Sequence, residues 1–201
     1  MYTAATHSPP KSSLWPFTPG KLGMWLFLAS DAMGFMGLIG AYMVLRIATT
    51  PWQQPGDPGF GITLTAAMTF LLICSSVTMV KALAAIQKGN VKGLQGFLVA
   101  TICGGLIFLG LQVYEWTHLI HLGLSAAKSS YGATFFLLTG FHGAHVTAGV
   151  IYLGCILLRA RQGGYTKESH SPVELVGLYW HFVDLVWIVI FTIVYLIPEP
   201  R

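Results

Sequence analysis

The hydrophobic positions of this chain fall into five long runs, and polar residues break them rarely enough to make each break informative. Every run meets the roughly 20 mostly apolar residues that a helix needs to cross a hydrocarbon core of about 30 Å. The pattern predicts membrane helices over 22–45, 62–85, 94–116, 131–158 and 174–197. Between them lie turn-rich pieces: PWQQPGDPG after the first run, AIQKGNVKG after the second and RARQGGYTKESHSP after the fourth. The last two are basic and carry glycine, as surface turns do. Ahead of the first run stands a tail with Pro9, Pro10, Pro16 and Pro19 and no apolar core of the signal-peptide type, so the first run is expected to remain as a membrane helix. The expected fold is all-α: residues 1–20 as a proline-rich tail and 21–198 as a single bundle of five transmembrane helices.

Composition agrees with that pattern. Of 201 residues, 54% are hydrophobic and only 9% charged, against roughly 25% charged in a soluble domain. The cations set an orientation. Lys11, Lys21, Lys81, Lys88, Lys92, Arg159, Arg161 and Lys167 fall on the side of the N-terminus, and Arg46, Lys128 and Arg201 on the other. By the positive-inside rule the N-terminus is expected in the cytoplasm and the C-terminus, after five crossings, outside. The net charge of +4 then reflects membrane orientation and not nucleic-acid binding, because the cations flank the spans and form no continuous patch. Cys74, Cys103 and Cys155 lie in separate spans without CxxC spacing and are expected to be small buried side chains. No internal repeat suggests a transporter built from inverted halves, and no G-x-S-x-G or serine with a placed base suggests nucleophilic catalysis.

The polar breaks sit at a shared depth. Residues 179–196 read YWHFVDLVWIVIFTIVYL, a run fit for lipid that nevertheless carries His181 and Asp184 one turn apart. At 1.5 Å per residue, Asp31 lies about 14 Å into the first span, Asp184 about 15 Å and His181 about 10 Å into the fifth. His142 and His145 fall in the middle and inner half of the fourth. A carboxylate facing hydrocarbon costs several kcal/mol, on the order of 3 by insertion scales, so Asp31, His142, His145, His181 and Asp184 are expected to point at one another or at a neighbouring protein. The i, i+3 spacing of His142 with His145 and of His181 with Asp184 puts each pair on one helix face. Gly34, Gly37 and Gly40, and the row Gly140, Ala144, Ala148, offer small surfaces for close approach. The residues alone leave four readings of this layer: a structural hydrogen-bond network, a bis-histidine haem between His145 and His181, a metal site of His142, His145, His181 and Asp184, and a proton-handling site at Asp31 or Asp184 relayed by the histidines. Glu115 belongs to another level, about 32 Å along the third span by the same rise. Among Tyr114, Trp116, His118 and His121 it resembles part of an interfacial belt, and Glu115, Trp116 and His118 are expected to touch lipid headgroups or a neighbouring subunit.

The blocks GMWLFLASDAMGF, QVYEW with THLIH, TGFHGAHVTAGVIYL and ELVGLYWHFVDLVWIVIFTIVYL, in this order, are similar to those of subunit III of the haem-copper terminal oxidases, in the short five-helix form of bacterial quinol oxidases and some bacterial cytochrome c oxidases. The resemblance covers about residues 21–196, and FHGAHV and YWHFVDLVW are its most specific parts. It implies a subunit without catalytic residues, metal or cofactor of its own, in the bacterial cytoplasmic membrane. Haem and copper are then expected in subunits I and II. The resemblance further implies packing against subunit I, contact with subunit II and with a subunit IV or a respiratory supercomplex, bound phospholipid, and support of proton uptake. Asp31 stands where the family carries a membrane-embedded, carbodiimide-reactive carboxylate, commonly Glu in the longer cytochrome c type; His142, His145, His181 and Asp184 match the family's blocks. The seven-helix members have two further N-terminal helices that complete a lipid cleft, and this chain lacks them. The related accessory protein of nitric oxide reductases would share these blocks, and an independent small transporter or proton channel is the reading from another class. Replacing Asp184 by Ala is expected to strand His181 and weaken retention in the complex.

Overall fold

The computed structural model describes residues 19–49, 52 and 58–197. The proline-rich tail up to residue 18, most of the PWQQPGDPG link, Lys11 and Arg201 lie outside the described residues. Five helices account for nearly everything else: α1 (Pro19–Ala48), α2 (Pro58–Gln87), α3 (Val91–His121), α4 (Ser130–Arg161) and α5 (Ser171–Phe191), the last running into a π-helical turn at Thr192–Leu196. All five are long and apolar enough to cross a membrane, and no strand occurs among the described residues.

Each helix extends beyond its apolar run, because the turns that leave the hydrocarbon have caps of their own. Asn90 accepts a hydrogen bond from the Gly93 N–H and opens α3; Ser129 accepts one from Gly132 N–H and opens α4. Pro172 in the first turn of α5 occupies a place where its missing N–H costs nothing. Gly89, Gly123 and Gly163 take positive φ in the turns that follow α2, α3 and α4.

The start of α1 lies on one face of the bundle, the N-side, with the ends of α2 and α4 and the starts of α3 and α5. Lys21 pairs with Glu174 there, and Gln95 Nε2 donates to Ala160 O at 3.0 Å. On the opposite C-side the Arg46 guanidinium donates to Ile197 O at 2.8 Å and to Tyr42 OH at 3.0 Å. Helix α5 is the core: half of its most apolar window is buried, against 11% for α1. Glycines make room for its tryptophans. A Cβ on Gly105 of α3 would stand 2.7 Å from the Trp180 ring, and one on Gly149 of α4 would stand 2.9 Å from it.

Two expectations about small residues are corrected by this packing. Gly34, Gly37 and Gly40 meet nothing within 4 Å, because α1 turns them away from the bundle; of the α4 row, Gly140 meets the Trp116 ring while Ala144 and Ala148 are exposed. Cys74, Cys103 and Cys155 are free and exposed, not buried. The outside of a membrane bundle is apolar, so a small apolar side chain has no preference for the inside there.

Candidate functional site

The five mid-depth residues do not form one network. They divide by the direction in which each helix presents them, and the closest pair joins α1 to α4. His145 Nε2 lies 3.1 Å from Asp31 Oδ1, and His145 Nδ1 lies 2.7 Å from Phe141 O. A carbonyl only accepts, so Nδ1 carries a hydrogen and Nε2 faces the carboxyl. One proton is therefore shared across the Asp31–His145 contact: an imidazolium against a carboxylate, or a neutral imidazole against a carboxylic acid. Phe35 and Phe141 ring centroids stand 5.1 and 4.6 Å from the His145 ring and limit water around it. Asp31 Oδ2 is buried without a hydrogen-bond partner.

His142, one turn earlier, looks elsewhere. It is fully buried, its Nε2 hydrogen goes to Val183 O at 3.1 Å, and its ring packs 4.8 Å from Trp187 and 5.7 Å from Phe108. That bond ties α4 to α5. On the far side of α5, His181 Nδ1 bonds the Ser76 hydroxyl of α2, and the same hydroxyl is the side-chain neighbour of Asp184. His181 thus has Ser76 as its partner, so removing Asp184 would not strand the His181 ring as the sequence suggested; Asp184 itself is 8% exposed with Oδ1 buried and unpartnered. The four residues suggested for a metal or haem do not converge: His142 faces α5, His145 faces α1 with both ring nitrogens engaged, and His181 and Asp184 face Ser76 of α2. Among the described residues no three His, Cys, Asp or Glu side chains gather as a metal site would.

With this geometry in hand, the sequence profile described as Cytochrome c oxidase subunit III matches residues 17–198. The chain belongs to that family. It is 39% identical to the Cytochrome c oxidase subunit 3 of a Synechocystis species, over 98% of this chain and 88% of the relative. It is 37% identical to the Quinol oxidase subunit 3 of Bacillus subtilis and 36% identical to the Cytochrome c oxidase subunit 3 of Alkalihalophilus pseudofirmus, each over 87% of this chain and 85% of the relative.

In this subunit III the residues expected at the membrane surface separate as well. His118 is exposed, Trp116 packs on Phe136 at 5.4 Å, and Glu115 is only 4% exposed. The Glu115 carboxyl is turned into the bundle, where Thr65 Oγ1 lies 3.2 Å from Oε1 and Tyr195 stands beside it. Residues that depth alone did not reveal carry much of the polar structure: Ser75 and Ser76, which pair with Trp180 and His181; Gln112, which donates to Thr139 O at 2.7 Å; and the buried Arg46. A signal existed. On α3 the buried positions Leu94, Leu98, Thr101, Gly105, Phe108, Gln112, Glu115 and Leu119 recur every three or four residues, and that stripe passes through Glu115 but misses His118.

Proposed function

We propose that the chain works as the redox-silent subunit III of a haem-copper terminal oxidase, an oxygen-reducing, proton-translocating complex of the bacterial cytoplasmic membrane. Family membership over residues 17–198 supports it, as do relatives named as subunit 3 of cytochrome c and of quinol oxidases. In this reading haem and copper reside in subunits I and II, the N-side faces the cytoplasm, and this subunit stabilises subunit I and binds phospholipid beside it. Its contribution to chemistry is proton delivery. The carrying observation is the Asp31–His145 contact of 3.1 Å, a carboxyl and an imidazole that share one proton inside a membrane span. A polar pair held there at a cost is the form that a proton relay takes in a bilayer.

The test is Asp31→Asn in the purified complex. Asn keeps the size and a hydrogen bond to His145 but cannot exchange the proton. The content of this subunit should stay at the wild-type level while sustained proton uptake falls severalfold. Proton uptake equal to wild type in a complex that retains the chain would contradict the role.

A further inference from the structure

Three hydroxyls of α2, Thr65, Thr69 and Ser75, share one arrangement. Each sends its hydrogen back along its own helix to a backbone carbonyl: Thr65 to Gly61 O at 2.7 Å, Thr69 to Thr65 O at 2.8 Å and Ser75 to Leu72 O at 2.7 Å. A hydroxyl has one hydrogen and two lone pairs, so what each offers to the rest of the bundle is an acceptor. At two rungs the group across is a donor: Trp180 Nε1–H reaches Ser75 Oγ at 3.1 Å, and Trp187 Nε1–H reaches Thr69 Oγ1 at 3.0 Å. At the third rung the group across is Glu115 Oε1, at 3.2 Å, which competes for the single Thr65 hydrogen with the shorter 2.7 Å bond to Gly61 O. An ionised carboxylate has no hydrogen to give, and lone pairs would then face lone pairs.

The surroundings point the same way. Among the described residues no ion pair reaches Glu115. The polar side chains facing it are Thr65 and Tyr195, with Tyr131 next to Tyr195. Glu115 Oε2 and the Tyr195 hydroxyl are both buried, and neither has a hydrogen-bond partner within bonding geometry.

We propose that Glu115 is a neutral carboxylic acid in the folded subunit, a proton-holding site on the C-side that gives its hydrogen from Oε1 to Thr65. This site is separate from the Asp31–His145 pair, where an imidazole is available to share the proton, and it does not rest on the role proposed for that pair. It also accounts for a carboxyl so near the end of a span yet turned away from the surface.

The experiment is infrared spectroscopy of the intact, purified complex at neutral pH, wild type against Glu115→Gln. The amide of Gln can donate to Thr65 in the same place, so the variant should retain the subunit at the wild-type level. The difference spectrum should show the loss of one carbonyl stretch of a protonated carboxylic acid, shifted on exchange into D2O. Loss of a carboxylate stretch instead overturns the proposal. If the Gln variant fails to assemble, Thr65→Val keeps the acid and removes its acceptor. The same carbonyl band should then move, and an unmoved band overturns the proposal equally.

Discussion

Trp180 shows how much a single side chain can decide in this bundle. Its ring fills the space that Gly105 and Gly149 leave open, and its Nε1–H ends on Ser75. Gly105→Ala would bring a methyl group to 2.7 Å from the buried Trp180 ring and 2.8 Å from the half-buried Val150, which overpacks the core by about 1–3 kcal/mol. Gly37→Ala meets nothing within 4 Å and should leave the isolated chain unchanged. Thermal unfolding of the two variants in detergent should therefore separate them clearly; equal melting temperatures would count against the packing described. At this scale the sequence revealed depth better than direction. Asp31 and His145 share a level by counting and do meet, whereas Glu115 was placed by its level among interfacial residues and the helix turned it inward. Each residue rotates the chain by about 100°, the turn that 3.6 residues per revolution implies, so depth leaves the facing undetermined until the buried stripe is traced.

Among the elements, α5 is set apart by its end. The π-turn Thr192–Leu196 widens the last coil, Tyr195 faces Glu115, and Arg46 of α1 donates to carbonyls at this end, Ile197 O at 2.8 Å and Ile193 O at 3.4 Å. Hydrogen bonds from a charged donor contribute about 1.5–3 kcal/mol each when the acceptor is otherwise stranded. Arg46→Gln shortens the reach and removes the charge. It should lower the unfolding midpoint of the subunit, whereas Lys128→Gln, an exposed cation in the loop after α3, should not. Arg46 counted in the sequence only as one of few cations on its side. The existence and order of the five helices were legible because their apolar runs exceed anything a soluble fold requires; the π-turn was not, since it answers to Arg46 and Glu115, contacts from far along the chain.

For the molecule as a whole, α1 is the lightly held member. It rests chiefly on α4 and α5, is fixed at its ends by Lys21 with Glu174 and by Arg46, and leaves Leu26, Met33, Met36, Val44 and Ile47 exposed. Segments with few buried contacts open first. Hydrogen exchange on the isolated chain in detergent should show the α1 amides exchanging ahead of those of α5, and assembly into the complex should slow α1 most. Uniform protection across the helices would contradict this. The family was readable from block order alone, because FHGAHV and YWHFVDLVW carry the side chains that join α4 to α1 and α5 to α2. What those blocks could not convey is that the joints are separate, since that depends on partners such as Ser76 and Val183 on other helices.

The rungs between α2 and α5 have a consequence for biosynthesis. Trp180 and Trp187, two turns apart, dock on Ser75 and Thr69 of a helix that left the ribosome about a hundred residues earlier, so the early spans wait in the bilayer with those acceptors unclaimed. The centre closes only when the final segment is released, and a nascent polypeptide stopped short of it would present quality-control proteases with an unfinished interior.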